Sequence, residues 1–243
     1  MNIALFGGTF DPIHRGHLNV ARAAARRFRL REVWFIPADI PPHKQKAIIT
    51  SYFHRYSMVT LAVANEPDFL PSLLEAPEPE AHMERRPSYT IDTVRKVKAG
   101  LRRGDRLYFL LGADAFRDIA KWHKVEELLR ECEFIVAARP GYSLESVASS
   151  LPKALRPTLK ELRADRLEEA LRRRGVTLHL LPETHEDISA THIRRAMKKH
   201  GGQLKKLVPD AVANYIRKEG LYKEGGSWLV GGQKPSSHLI NQF

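Results

Sequence analysis

Two histidines three residues apart, His14 and His17, with Gly16 between them, follow a Gly7-Gly8-Thr9-Phe10 turn at the end of an apolar run. Residues of these types in this order can handle phosphate. Glycine lets the backbone approach a ligand closely, and a helix N-terminus offers unpaired N–H groups and the positive end of a dipole. At this spacing both imidazoles share one face of a helix's first turn, where their N–H groups can donate to phosphate oxygens. A histidine pair at i, i+3 is by itself ordinary. The strand end and its glycines supply the reason for this helix N-terminus to meet an anion, and Thr9 adds a hydroxyl donor. Such a site suits a nucleotide triphosphate.

Neither Gly-x-x-x-x-Gly-Lys-Ser/Thr nor Gly-x-Gly-x-x-Gly occurs in the chain, so a Walker loop and a dinucleotide fingerprint are excluded. What remains resembles the His-x-Gly-His pattern of the nucleotidyltransferase superfamily, whose members also carry a Ser/Thr-rich helix start near the C-terminus, and a match to that partner stands at Ile188-Ser189-Ala190-Thr191-His192-Ile193-Arg194. Ser189 or Thr191 can cap a helix there, leaving further N–H groups for phosphates, with Arg194 placed to neutralise charge at the β/γ end. A Ser-x-Thr cap is common; joined to the first motif it becomes specific.

The elements that must position these residues follow from hydrophobic patterning. Short apolar runs at Ile3–Phe6, Val33–Ile36, Leu107–Leu111, Phe134–Ala138 and Val176–Leu181 are predicted strands. Between and after them, Gly16–Phe28, Ser51–Ala64, Thr90–Lys98, Val125–Arg130, Leu159–Arg174, Ser189–Lys199 and Asp210–Lys218 are predicted helices. The alternation gives an α/β fold: a Rossmann-like, doubly wound, mainly parallel sheet with helices on both faces. Ligands collect where the strands end, and every motif named here falls at such an end or in a loop. Leu70–Pro87, proline-rich and acidic, is expected to be an irregular flap. One domain is expected over residues 1–224, helical in its last part from 185, with 225–243 as a loose tail rich in Gly and Ser.

Forty Lys and Arg against 28 Asp and Glu give a formal charge of +12 over 243 residues, which attracts anions without choosing among nucleotides, nucleic acid and a membrane surface. The single cysteine, Cys132, rules out an intrachain disulfide framework and a Cys-rich metal site, and is expected in the core. No apolar run reaches the roughly 18 residues of a membrane span, and no signal-peptide pattern begins the chain. A cytoplasmic protein is expected.

Taken together, the signatures resemble those of the bacterial nicotinate mononucleotide adenylyltransferases, a family of the His-x-Gly-His nucleotidyltransferase superfamily. They are Gly7-Gly8-Thr9-Phe10-Asp11-Pro12-Ile13-His14 with Gly16-His17; Pro41-Pro42-His43-Lys44; Arg55 with Met58; Ser88-Tyr89-Thr90 with Asp92-Thr93; Gly112-Ala113-Asp114; Trp122-His123; Arg139-Pro140-Gly141; Ile188-Ser189 with Thr191, Ile193 and Arg194; and Val208-Pro209 with Tyr215-Ile216 and Leu221-Tyr222. The resemblance covers roughly residues 1–222. Two departures stand out: Ala190 replaces the family's usual second serine, and the Leu- and Arg-rich Tyr142–Gly175 is longer than the family norm. The latter reads as an extra solvated helix, with a subunit contact as the other reading.

The resemblance implies attack of a mononucleotide 5′-phosphate on the ATP α-phosphorus, with release of pyrophosphate. A phosphate monoester has a second pKa near 6, so the nucleophile is largely ionised at neutral pH and needs no general base. Catalysis then consists of positioning and charge stabilisation. His14, His17, Lys44 and Arg194 are the implied catalytic residues, and Gly7, Gly8, Thr9, Phe10, Gly16, Ile188, Ser189 and Thr191 complete the ATP site. Thr9, Lys44, Tyr89, Thr90, Gly112, Asp114, Trp122, His123 and Arg139 form the acceptor site. Trp122 offers a flat face to a pyridine ring, and Asp114 can accept from ribose hydroxyls. Mg²⁺ is expected with ATP, held by phosphates and water rather than by a protein cage. ATP and nicotinate mononucleotide are the expected partners, without nucleic acid or membrane, and a homo-oligomer is allowed. The alternatives are a relative that uses nicotinamide mononucleotide or another phosphate acceptor, and, more remotely, a nucleic-acid-binding module; no RNA-binding signature supports the latter.

Overall fold

The structure, a computed structural model, describes residues 1–40, 49–77, 87–138, 143–158, 160–162, 164–181, 188–199 and 204–223. The apolar runs become β1 (Asn2–Gly8), β2 (Glu32–Pro37), β4 (Arg106–Gly112), β5 (Glu133–Ala137) and β6 (Leu178–Leu181), joined by a short β3 (Phe69–Pro71). They form one six-stranded sheet in the order β3-β2-β1-β4-β5-β6, with every pairing parallel.

Alternation along each strand sends neighbouring side chains to opposite faces. Ala4, Phe6, Val33, Phe35, Tyr108 and Leu110 pack on one side. There they meet α1 (Arg15–Phe28), α2 (Tyr52–Val63), α8 (Ala190–Lys199), α9 (Leu204–Leu207) and α10 (Asp210–Lys218). Ile3, Leu5, Leu107, Phe109, Leu111, Phe134 and Val136 pack on the other. That face is covered by α3 (Thr90–Lys98), α4 (Ala113–Phe116), α5 (Val125–Glu131), α6 (Leu144–Ser149) and α7 (Ala164–Arg173). Burial on both faces is why these strands read as continuous apolar runs rather than alternating ones.

The strand order turns at β1, which pairs with β2 on one side and β4 on the other. In an open parallel sheet the crevice beyond the carboxyl ends at that point receives ligands. Here the two strands flanking it end in glycines, β1 in Gly7-Gly8 and β4 in Gly112.

Three expectations change. Part of the supposedly irregular 70–87 is strand, since Leu70 and Pro71 pair with Trp34 and Phe35. Three residues carry no readable periodicity, and Pro71 is tolerated because β3 lies at the sheet edge. The long helix expected from Leu159 begins at Ala164, because Glu161 takes up the Thr158 backbone N–H at 2.8 Å and its hydroxyl at 2.9 Å, closing a local turn instead. The segment after 142 is also more than a solvated helix. Val147, Ala148, Leu151, Leu155, Leu167 and Leu171 are buried in the core against the sheet. Cys132 is partly buried beside β5, and burial pushes its thiol up to about 12. The expected tail at 225–243 lies outside the described residues. Among the described residues no helix is long and apolar enough to cross a membrane.

Candidate active site

At the end of β1 the chain has no room for side chains. A Cβ on Gly7 would lie 2.9 Å from the Phe109 ring, and one on Gly8 would lie 3.0 Å from the Phe10 ring. Phe10 itself adopts a left-handed backbone, φ 48°, which is costly for a bulky residue. Its buried ring holds it there, packed edge-on against Phe6 at 5.6 Å and against His17 at 5.1 Å. Strained backbone of this kind persists where the surroundings over-determine it, commonly at functional sites.

His14 ends the loop and begins α1, its carbonyl accepting from the His17 backbone N–H at 3.0 Å. In return the His14 backbone N–H donates to Nδ1 of His17 at 3.2 Å. A neutral His17 must then carry its proton on Nε2. The two rings stack at 3.7 Å. Burial pulls His14 down to about 4, and burial together with the neighbouring His14 pulls His17 well below its usual value. Both are neutral donors at pH 7 before any anion arrives. Nδ1 of His14 is buried without a hydrogen-bond partner among the described residues, an arrangement native proteins rarely leave unexplained.

The second motif arrives beside the first. Ser189 Oγ accepts from the His192 backbone N–H at 3.2 Å and so caps α8. A Cβ on Gly16 would lie 3.7 Å from Ile188, which puts the two helix N-termini side by side. Arg194, one turn into α8, donates from Nη1 to the Asp11 carbonyl at 2.6 Å and from Nη2 to Thr191 Oγ1 at 3.2 Å. Gly7, Gly8, Thr9, Phe10, His14, Gly16, His17, Ile188, Ser189, Thr191 and Arg194 are therefore neighbours in the fold.

Beneath them lies a polar cluster around Arg55 and Asp11, which stand in the sequence motifs without a role of their own, and Thr50 and Asp39, which do not stand in them. Arg55, 1% exposed, donates to the carbonyls of Thr50 at 2.8 Å, Thr9 at 2.8 Å and Asp39 at 3.2 Å. The Asp11 carboxylate accepts from the Thr50 backbone N–H at 3.3 Å and from the Tyr222 hydroxyl at 2.7 Å. Arginine is among the residues least often fully buried without a partner, yet nothing in the local sequence marks Arg55 as buried.

Of the residues expected at the acceptor, Tyr89, Trp122 and His123 come together beside Phe109 of β4. Tyr89 precedes α3 and Thr90 is its first residue, so the first N–H groups of that helix lie outside its internal ladder. The Tyr89 ring stacks on His123 at 4.1 Å, and the half-buried Trp122 meets Phe109 edge-on at 6.1 Å. Phe109 thus touches both halves of the site. Gly112 ends β4, and Asp114 follows in α4 with Arg117 at 3.4 Å. A further residue appears that the sequence did not single out: Glu75 accepts from Thr93 Oγ1 at 2.8 Å, and burial pushes its carboxyl up to about 7. Lys44 and Arg139 lie outside the described residues. Among the described residues no three His, Cys, Asp or Glu side chains come together to hold a metal ion.

Two helix N-termini and a histidine pair converging on the switch point of a parallel sheet define a nucleotidyltransferase. The model of the cytidylyltransferase-like family matches residues 5–196. The nicotinate-nucleotide adenylyltransferase of Bacillus subtilis strain 168 is 38% identical over 91% of this chain and 98% of its own. A Moorella thermoacetica protein, described as a probable nicotinate-nucleotide adenylyltransferase, is 39% identical over 91% of each chain. The structure of Plasmodium falciparum nicotinic acid mononucleotide adenylyltransferase, complexed with NaAD, is similar in fold with a TM-score of 0.66 at 23% identity, covering 91% of this chain and 97% of that one. The chain belongs to the nicotinate-nucleotide adenylyltransferases of the cytidylyltransferase-like family, and is a nucleotidyltransferase of NAD biosynthesis.

Proposed function

We propose that the site joins nicotinate mononucleotide to ATP by in-line displacement. An oxygen of the acceptor's 5′-phosphate forms a bond to the α-phosphorus, and the bond from that phosphorus to the bridging oxygen of the β-phosphate breaks. Pyrophosphate leaves with the electron pair, nicotinate adenine dinucleotide remains, and no proton has to move at neutral pH. The observation that carries this reading is the meeting of the α1 and α8 N-termini at Gly16 and Ile188, with Arg194 anchored on the Asp11 carbonyl.

His14 and His17 donate to phosphate oxygens, Arg194 holds the β/γ end, and the capped start of α8 adds backbone donors through Ser189 and Thr191. Lys44 and Arg139, which follow β2 and β5 in the sequence, complete the proposed phosphate and acceptor contacts. Tyr89, Thr90, Trp122 and His123 receive the pyridine ring and its carboxylate, and Asp114 the ribose. Mg²⁺ enters with ATP as part of the substrate, held by phosphates and water. Both substrates are free nucleotides of the cytoplasm, so neither nucleic acid nor a membrane takes part.

The test is direct. With ATP, Mg²⁺ and either nicotinate mononucleotide or its amide, dinucleotide and pyrophosphate should form in equal amounts and faster from the acid. No dinucleotide from either acceptor would sink the reading, and a clear preference for the amide would overturn the acceptor.

A further inference from the structure

The loop Thr9-Phe10-Asp11 is held by groups far away in sequence. Its Thr9 carbonyl is bound by Arg55, and its Asp11 carboxylate by the Thr50 N–H and the Tyr222 hydroxyl. Asp11 and Tyr222 are 4% and 1% exposed, so these bonds are screened from water. Tyr222 also sits in left-handed backbone, φ 65°, as Phe10 does. Two bulky residues in costly conformations therefore bracket a single carboxylate, the condition under which the surroundings dictate geometry. The same Asp11 turns its carbonyl to Arg194 at 2.6 Å. Arginine has five N–H donors, and among the described residues two of Arg194's nitrogens are engaged with the protein. Fixing those two sets the direction of the others.

We propose that Asp11 and Tyr222 are positioning residues for Arg194: the Tyr222 hydroxyl fixes the Asp11 carboxylate, and the Asp11 carbonyl aims the guanidinium at the ATP phosphates. This rests on the proposed role of Arg194 at those phosphates. Neither side chain touches substrate. Their influence on ATP passes through one guanidinium.

A double-mutant cycle on the full chain tests this, with kcat and the KM of each substrate measured by pyrophosphate release and folding followed by thermal midpoint. Arg194→Ala should lower kcat/KM for ATP at least roughly tenfold. Tyr222→Phe, which removes one hydroxyl, should lower it about fivefold while changing KM for nicotinate mononucleotide less than about twofold. In the Arg194→Ala background, Tyr222→Phe should add nothing beyond about twofold. A merely structural tyrosine would act on both substrates and multiply with Arg194→Ala; that result overturns the inference while leaving the function standing. If Arg194→Ala is itself without effect, the phosphate role of Arg194 fails and the positioning falls with it. Should Tyr222→Phe not fold, Asp11→Asn, similar in shape but without the charge, carries the same cycle with the same two readings.

Discussion

In the proposed reaction His17 acts without charge. With its Nδ1 taken up by the His14 N–H at 3.2 Å, the ring presents Nε2–H as a donor, and burial keeps it neutral. In the proposed reaction its contribution therefore comes from hydrogen bonding by that Nε2–H to the oxygens that gain charge during displacement. His17→Ala should reduce kcat by at least roughly tenfold, with the thermal midpoint little changed. An unchanged kcat would remove His17 from the reacting group. At this scale the sequence announced residue types well, because glycines, histidines and a capping serine carry their chemistry locally. It could not announce their states. That Asp11 meets a hydroxyl 211 residues away, or that Arg55 is buried under Thr9, depends on contacts which no spacing along the chain encodes.

The elements were more legible than their edges. α3 was expected at Thr90–Lys98 and is found there, since Ile91, Val94 and Val97 form a clean apolar stripe facing the core. β3 was not seen, being three residues long and closed by a proline. The turn after β3 carries Glu75 to α3, where it pins Thr93 one turn inside the acceptor-side helix. Because burial, together with Asp39, raises the Glu75 carboxyl to about 7, the folded chain binds its proton more tightly than the unfolded chain does. Stability from this group is complete below the unfolded carboxyl range and is lost as pH rises toward 7. The buried His14, with its pKa lowered to about 4, has the opposite slope below its unfolded value, so a variant is needed to separate them. Glu75→Gln, melted beside the parent chain, should gain roughly 2–4 °C in relative thermal midpoint between pH 5 and pH 8, about 1 kcal/mol after screening of a partly exposed group. A difference that stays flat with pH would show that ionisation of Glu75 has no part in stability.

On the scale of the whole molecule, the sheet divides the chain into two apolar layers, and the segment from 143 to 173 belongs to one of them. Its arginines and glutamates suggested a solvated surface because charge dominates its composition. The leucines, spaced to one side, decide its place: Leu167 and Leu171 are 0% and 1% exposed. Leu167→Ala should cost about 2–5 kcal/mol, read as a lower midpoint in denaturant, with KM for both nucleotides unchanged in the folded protein. A loss below about 0.5 kcal/mol would return the segment to the surface.

The opposite layer has a consequence in time. Ala4 and Phe6 of β1 share their core with Val212, Ala213, Ile216 and Leu221 from α10 and the turn beyond it. A ribosome delivers those partners long after the strand they cover. Until then α1 and α2 are its helical cover, and a message cut short after β6 would yield a sheet lacking both the rest of that cover and Arg194. β1 and α10 are thus joined in one core, and only a chain that has reached α10 holds both that core and the arginine proposed to meet the phosphates.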